Sequence, residues 1–249
     1  MTRGRHSSDD ADGDDGDDDT ADVELDGPFD IEDFDDPAAA TLARLDLGSV
    51  LIPMPEAGQV QVELTETGVP SAVWVVTPHG RFTIAAYAAP KSTGLWREVA
   101  TELADSLRKD VAKVSIEDGP WGREVVGVAT EGGGVVRFIG VDGYRWMIRC
   151  VVNGLAETID ALVEEARRSL TDTVVRRGDT PLPVRTPLPV QLPEPMAAQL
   201  RAAAAQAAAQ QAQAAAQQAQ LAAQQEPQPV ARRSAQGSAM QQLRTITGG

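Results

Sequence analysis

The sequence has few of the residues that most often carry out chemistry. Its 249 residues include one cysteine and two histidines. The lone cysteine, Cys150, cannot form an intrachain disulfide, which fits a reducing compartment. Zinc sites need several Cys and His ligands close together, and the sequence has no G-x-S-x-G nucleophile elbow. We therefore predict no catalytic residues, no metal site and no cofactor.

The histidine and the cysteine of the central region stand in positions that do not favour catalysis. His79 lies in a Pro-His-Gly turn, where an imidazole is ordinarily solvated. Cys150 follows Trp146 and Ile148 in an apolar strand pattern, and burial raises the pKa of a thiol and leaves it unreactive. We interpret the chain as a non-enzymatic protein.

Long apolar runs and basic stripes are also missing. No stretch approaches the roughly 18 apolar residues of a membrane helix, and the N-terminal segment MTRGRHSSDDADGDD lacks the apolar core of a secretory signal. No Lys/Arg stripe is present that would follow a phosphate backbone. We expect a cytoplasmic protein that binds neither membranes nor nucleic acids.

The net charge of −15 is concentrated in an N-terminal arm. Residues 1–36 hold 16 acidic residues and 2 arginines, with few large apolar groups. This composition cannot bury enough surface to offset the entropy of ordering, so we predict a disordered acidic arm over residues 1–41. Within it, PFDIEDFDD sets Phe29, Ile31 and Phe34 among carboxylates, as in a solvated tail or in a segment that docks on binding. The arm would aid solubility, meet a basic partner surface or imitate a phosphate chain.

Residues 42–179 carry the patterns of one folded domain. Alternating apolar residues and turn dipeptides predict strands, and apolar spacings of three and four predict helices. The strands cover residues 48–53, 59–64, 71–77, 81–88, 121–130, 134–140 and 144–153, and the helices cover residues 93–114 and 155–170. The last three strands are apolar on both faces, so their sheet is covered on both sides or uses its second face for binding. The fold class is α+β, with an antiparallel sheet covered by two main helices as in an α/β/α sandwich.

A hairpin is predicted between the last two of these strands. Asp142-Gly143 is a strong two-residue turn signal, and such a turn sets Ile139 opposite Trp146. One face of the sheet then carries Ile139, Trp146 and Cys150, and the opposite face carries several arginines.

The candidate binding residues of the domain are Trp121, Arg123, Arg145 and Arg149. The three arginines share one predicted sheet face, and Trp121 lies in a Gly-Pro-Trp-Gly turn where nothing forces its burial. Tryptophan and arginine are enriched at interface hot spots. The arginines either pair with the acidic excess as edge charges or form a patch for an anionic ligand or partner.

The phrase TPLPV occurs twice, six residues apart, in a proline-rich extended segment over residues 180–195. Its proline content excludes a helix and a central strand. Polyproline II has three residues per turn, so the two copies would project identically, with Leu182 and Leu188 along one edge and Arg185 between them. A linker would favour Ser, Gly or charge. We therefore predict that the two leucines dock, either on their own domain as a strap or on a protein partner.

The last part of the chain, residues 196–249, is a low-complexity tail. Positions 197–225 include 16 Ala and 10 Gln, which favours a helix but provides almost no large apolar side chain to anchor it. We predict a frayed, solvated helix there and disorder over residues 226–249.

Several of these segments together resemble a bacterial family known as domain of unknown function 3710. They are LGSVLIPMP, VVTPHGRFTIAAYAAPKSTGLWREV, WGREVV, FIGVDGYRWMIR and RRGDTPLPVRTPLPVQLP. The resemblance covers roughly residues 42–193. It implies a cytosolic bacterial protein with an acidic arm before the domain and low-complexity sequence after it, and it assigns no catalytic or ligand-binding residue. The order of elements also resembles the small α/β/α sandwich of photosystem extrinsic subunits, which is a likeness of fold alone.

Two functional interpretations follow from the sequence. The first is a binding or adaptor module that meets a protein partner through its proline-rich segment and its flexible arms. The second is an enzyme or a binder of small anions that uses the arginine-lined sheet face.

Overall fold

The computed structural model describes residues 27–65, 68–111, 113–130 and 132–225. The chain divides into one unit that ends at Leu192 and another that begins at Pro193. The disorder predicted for residues 1–26 and 226–249 lies outside the described residues.

Short strands and helices follow one another along the first unit. In chain order they are β1 (Phe29–Asp30), α1 (Pro37–Ala40), β2 (Arg44–Asp46), β3 (Val50–Pro53), β4 (Gln59–Leu64), β5 (Pro70–Thr77), β6 (Gly80–Ala88), α2 (Leu95–Leu107), β7 (Lys113–Gly119), β8 (Gly122–Val128), β9 (Gly134–Asp142), β10 (Trp146–Leu155), α3 (Ile159–Thr171) and β11 (Val174–Val175). A single 3-10 turn, Ile31–Asp33, lies between β1 and α1.

A seven-stranded sheet forms the centre of this unit. Its strand order is β4-β5-β6-β10-β9-β8-β7, and all of its neighbouring strands are antiparallel. Helix α3 packs on one face, where Leu162, Ala166 and Leu170 join the main hydrophobic core. Helix α2 packs on the other face and forms a second core with Val125 and Met147. The predicted α+β class, with a sheet between two helices, is confirmed.

Helix α2 is fixed on the sheet by contacts at its N-terminus. The Trp96 ring lies directly on Gly140, where an added Cβ would come within 1.9 Å of the ring. The Asp142 carboxylate accepts hydrogen bonds from the backbone N–H groups of Gly94 and Trp96, both at 3.0 Å. A carboxylate at this end of a helix satisfies free N–H groups and complements the helix dipole. The residue that the sequence marks as a turn former therefore serves as the cap of α2.

The predicted hairpin register between β9 and β10 is wrong. Asp142 pairs with Met147, and Ile139 pairs with Cys150 instead of Trp146. The pairing leaves residues 143–146 as the connection, and within it Arg145 adopts a left-handed conformation, with φ 63°. The register differs by an even number of residues, so every side chain keeps its predicted face.

The helix predicted over residues 93–114 is too long. Helix α2 ends at Leu107, and β7 begins at Lys113 and pairs with β8 as an edge strand. Val111 and Val114 continue the helical spacing of apolar residues, so the sequence pattern does not show that the helix ends and a strand begins. The two-residue connection between β7 and β8 is Pro120-Trp121, since Gly119 pairs with Gly122.

The domain begins earlier than residue 42. Strand β1 pairs in parallel with β11, in a small sheet of order β1-β11-β3-β2. Phe29, Ile31 and Phe34 pack against a buried cluster that includes Leu51 and Val174. The predicted disorder is therefore wrong for residues 27–41, whose apolar side chains dock on the chain's own domain.

The second unit contains helix α4 (Glu194–Gln225), 32 residues long. Its side chains from Arg201 to Leu221 are exposed, in keeping with the helix predicted for the Ala/Gln segment. None of the helices in the described ranges is both long and apolar enough to cross a membrane.

Candidate functional site

The proline-rich segment lies along the edge of strand β6. We call residues 180–191 the strap. The Arg185 N–H donates to the Ala88 carbonyl at 2.7 Å, the Ala88 N–H donates to Thr186 at 2.8 Å, and the Leu188 N–H donates to Ala86 at 2.9 Å. Strand β5 pairs with β6 only as far as Thr83, so the strap covers a stretch of edge that would otherwise be open.

Both ends of the segment that contains the strap meet the same part of the domain. The Arg176 N–H donates to the Ser49 carbonyl at 2.8 Å, and the Gln191 N–H donates to the Leu47 carbonyl at 2.9 Å. The intervening residues therefore leave and return at neighbouring points, which is the geometry of an Ω-loop. Such loops are compact and frequently functional.

The two copies of TPLPV do not project identically. A turn at Val184 and Arg185 separates them, because Arg185 is left-handed with φ 70°. Leu188 is 3% exposed in the main core, whereas Leu182 is half-buried at the edge of that core. Val184 and Val190 face outward, at 49% and 36% exposure. The single polyproline ridge is thus wrong, although both leucines lie on the domain.

The guanidinium group of Arg185 joins the strap to helix α2. Its Nη1 lies 3.0 and 2.8 Å from the two carboxylate oxygens of Glu102, and its Nη2 lies 3.1 Å from Glu98 Oε2. Glu102, through this hydrogen bond, raises the pKa of Arg185 above its ordinary value. We call these three residues the latch. Exposed ion pairs contribute little each, so the latch serves to position the strap more than to stabilise the fold.

A cavity of about 250 Å³ lies beside the latch, between α2 and the sheet. We call it the Arg149 cavity. Tyr87 and Met147 stand opposite each other on β6 and β10 and share the sheet face with Arg149. The cavity is lined by Tyr87, Val99, Glu102, Leu103, Met147, Arg149 and Arg185.

Arg149 is a cation without a counter-charge in this cavity. Its guanidinium carbon lies 4.9 Å from the centroid of the Tyr87 ring. Its Nε is buried and finds no hydrogen-bond acceptor among the described residues, and none of their carboxylates forms a salt bridge with it. A cation–π contact contributes only about 0.5–2 kcal/mol and leaves the charge itself in place. Arg149 therefore lines the cavity, next to apolar walls, with a charge that no described carboxylate pairs with.

The other predicted site residues lie elsewhere. Arg123 lines a separate cavity of about 300 Å³ with Trp121, and its carbonyl accepts a hydrogen bond from Trp96 Nε1 at 2.6 Å. The Trp121 indole N–H donates to the Gly27 carbonyl at 2.8 Å. Arg145 lies in the β9–β10 loop and offers its carbonyl to Arg177 Nε at 3.1 Å. The three arginines thus do not form one patch, and Arg149 is the one that lines the cavity beside the strap.

Sequence reasoning missed the latch, although the sequence contains a signal for it. Glu98 and Glu102 are four residues apart on one helix face, where like charges repel. A cation from another segment relieves that repulsion, and Arg185 stands alone as a charged residue between the two TPLPV copies. The contact of the Tyr87 ring with Arg149 had no such signal in the sequence, because it depends on how β6 and β10 are paired.

A second charged cluster lies inside the main core. Glu124 is 1% exposed, and it accepts hydrogen bonds from Arg137 Nη1 at 2.6 Å and from Arg167 Nη2 at 3.1 Å. Arg137 also binds Glu117 at 2.6 Å. The Nε atoms of Arg137 and Arg167 are, like that of Arg149, buried without an acceptor. Both charges are nevertheless paired with carboxylates, so the cluster connects β8, β9 and α3.

The described residues do not group three or more Cys, His, Asp or Glu side chains as a metal site would require. Cys150 is fully buried, and this burial raises the pKa of its thiol. His79 Nε2 lies 3.8 Å from Glu165 Oε1 at a partly exposed position.

A family model described as "Protein of unknown function (DUF3710)" matches residues 27–199, more than half of the chain. The chain belongs to the DUF3710 family. The DUF3710 match begins where the described fold begins and includes the strap, the latch and the Arg149 cavity. The resemblance predicted from the sequence is confirmed, over a longer range than residues 42–193.

No curated protein matches the chain. Among solved structures, a GTP-binding regulator from Thermotoga maritima is similar at 14% identity and a TM-score of 0.27, covering 49% of this chain and 78% of its own. The cyanobacterial PsbP of Synechocystis sp. PCC 6803 has 9% identity and a TM-score of 0.34, covering 54% and 94%. LpqN of Mycobacterium tuberculosis, involved in cell envelope biogenesis, has 12% identity and a TM-score of 0.28, covering 51% and 83%.

Proposed function

We propose that this DUF3710 domain is a non-enzymatic binding module that holds a small organic anion in the Arg149 cavity. The observation that carries the proposal is the state of Arg149. Its guanidinium group is stacked on Tyr87, its Nε is buried without an acceptor, and no carboxylate in the described ranges neutralises it. A guanidinium charge that pairs with no carboxylate favours an anion, so a ligand carboxylate that reaches the part of Arg149 lining the cavity would neutralise that charge.

The setting of Arg149 supports an anion with an apolar part. A planar guanidinium group can bind a carboxylate with two parallel hydrogen bonds. Val99, Leu103 and Met147 supply apolar walls next to it. Ligand sites commonly combine such walls with a few polar groups that fix the orientation.

The proposal is tested by thermal unfolding of the full-length protein with a panel of organic acids and their uncharged amides. An acid that binds the folded state at 100 times its Kd raises the free energy of unfolding by about 2.7 kcal/mol. We expect this for the wild type but not for Arg149→Gln. The matched control is Arg81→Gln. Arg81 lies on β6, and its guanidinium carbon lies 4.4 Å from the centroid of the Trp74 ring, but it does not line the cavity.

The outcome that contradicts the proposal is equally direct. If acids and amides stabilise the wild type to the same extent, or if Arg149→Gln responds like Arg81→Gln, the cavity is not an anion site. Leu103→Trp provides a second test, because it fills the cavity from α2 without removing a charge, and it should also abolish the effect.

A protein partner is a second candidate, and one observation favours it. The leucines of the strap face their own domain, but Val184 and Val190 stay exposed on its outer side. Affinity capture with the full-length protein tests this candidate. A partner that is held by the wild type and lost by the double variant Val184→Asp, Val190→Asp would support an adaptor role, whereas equal capture by both proteins would remove the strap from that role.

A further inference from the structure

We infer that the ligand of the Arg149 cavity is a monocarboxylic acid with an apolar body about the size of one aromatic ring, and that the cavity disfavours phosphate monoesters. This inference rests on the proposed function, because it specifies the ligand of the same site. It follows from the charge around the cavity, from the kind of atoms that line it and from its volume.

The charge around the cavity favours a ligand with a single negative charge. Arg149 contributes one positive charge without a partner. The latch contributes the positive charge of Arg185 and the negative charges of Glu98 and Glu102, so by itself it carries a net negative charge. Glu102 lines the cavity. A monoanion neutralises Arg149, whereas the second charge of a phosphate monoester meets no free cation in the lining and is repelled by Glu102.

The lining atoms favour an apolar body over a polar one. The walls come from Val99, Leu103, Met147 and the ring of Tyr87, and the lining contains no Ser, Thr, Asn or Gln side chain. A ligand rich in hydroxyl groups, such as a sugar acid or a nucleotide, would place polar atoms against Val99, Leu103 and Met147, where they find no partner. A methionine sulfur also packs well against an aromatic ring, so an aryl group suits the space beside Met147.

The volume suits an apolar body of about one ring, in a cavity that is partly open to solvent. A cavity of about 250 Å³ corresponds to about eight water molecules, at the ~30 Å³ that each occupies in the liquid. A benzene ring with a short carboxylate arm fits this space, whereas a long fatty acid or a fused polycyclic acid would extend beyond it.

The experiment is isothermal titration calorimetry of the full-length protein at pH 8, with phenylacetate, phenylacetamide and phenyl phosphate as ligands. Phenyl phosphate is a dianion at this pH. We expect phenylacetate to bind, and the amide to bind at least about tenfold more weakly because it lacks the charge that Arg149 neutralises. Phenyl phosphate should bind at least about fivefold more weakly than phenylacetate, the effect in bulk water of one added charge about 4 Å from a carboxylate, and the effect is larger near a protein surface.

The variant Glu102→Gln tests the basis of this discrimination. It removes the negative charge from the cavity wall, so the preference for phenylacetate over phenyl phosphate should narrow. Asp105→Asn is the matched control, since Asp105 also lies on α2 but pairs with Arg108 and does not line the cavity, and the preference should stay close to that of the wild type.

These measurements distinguish an error in the inferred ligand class from a failure of the proposed anion-binding function. If phenyl phosphate binds as tightly as phenylacetate and Arg149→Gln abolishes both, the site binds anions as proposed but the inferred ligand class is wrong. If none of the acids binds, or if Arg149→Gln leaves their binding unchanged, the proposed function fails together with the ligand class.

Discussion

Replacing Leu188 with alanine should destabilise the domain as much as a substitution in its core. Leu188 is 3% exposed and belongs to the main hydrophobic core although it lies in a proline-rich loop. Buried Leu→Ala changes cost about 2–5 kcal/mol, depending on how far the site collapses. A loop collapses more readily than a strand, so we expect a loss near the middle of this range, about 3 kcal/mol.

Urea denaturation of the full-length protein measures this loss. Extrapolation to zero urea gives the free energy of unfolding, and an unchanged slope shows that the unfolded state is the same. The matched controls are Val184→Ala and Val190→Ala, whose side chains face solvent and whose replacement should change stability by no more than about 0.5 kcal/mol. If Leu188→Ala matches these controls, the strap does not pack on its own domain and our account of the site fails.

Three further predictions concern buried and charged groups. Glu124→Gln should cost about 1–3 kcal/mol of unfolding free energy in the same denaturation assay, because Arg137 and Arg167 lose their shared buried counter-charge but keep Glu117 and Glu164; an unchanged free energy of unfolding would mean that the cluster is hydrated or rearranged. Cys150 should react with a maleimide only in denaturant, since burial raises the pKa of its thiol, and rapid labelling of the native protein would contradict the packing of β10. Burial alone would raise the pKa of Asp46, but hydrogen bonds from Arg176 and from the Gly48 N–H lower it below 3.8. Its contribution to stability is therefore present above that pH and is lost as the pH falls through the lowered value, so Asp46→Asn should flatten the stability profile below about pH 4, and an unaltered profile would show that this pair is not linked to folding.

The faces of the central sheet could be predicted from the sequence even though the strand register could not. Side chains alternate along a strand, so the wrong pairing of Ile139 still placed Trp146 and Cys150 on the buried face. The predicted register depended on Asp142, which has the sequence context of a turn residue. In the structure Asp142 caps helix α2 by accepting a hydrogen bond from the Trp96 N–H, 46 residues away along the chain. A local pattern cannot show such a distant contact.

The start of the domain was missed because it too depends on a distant contact. Phe29 stands in an acidic stretch whose composition predicts disorder, and its order comes from pairing with Val174. The end of α2 was missed because Val111 and Val114 continue its apolar spacing into β7.

The candidate site was only partly visible in the sequence. Arg149 was among the predicted binding residues, and the two leucines of the repeat were expected to dock. The sequence could not separate Arg149 from Arg123, because that distinction requires the position of α2 over the sheet. It also could not place Arg185 against α2, since this contact depends on a left-handed residue within a segment that would otherwise extend regularly.

The binding of an organic anion at Arg149 is tested most directly by a nuclear magnetic resonance titration. It follows the arginine Nε–H signals of the full-length protein as phenylacetate is added. Our account predicts that the Arg149 Nε–H signal shifts saturably, because a carboxylate bound to the cavity side of the guanidinium group changes the environment of its Nε–H, while the signal of Arg81, which is stacked on Trp74 outside the cavity, stays in place. An Arg149 signal that does not move at high phenylacetate concentration, or that moves only in parallel with Arg81, would contradict it.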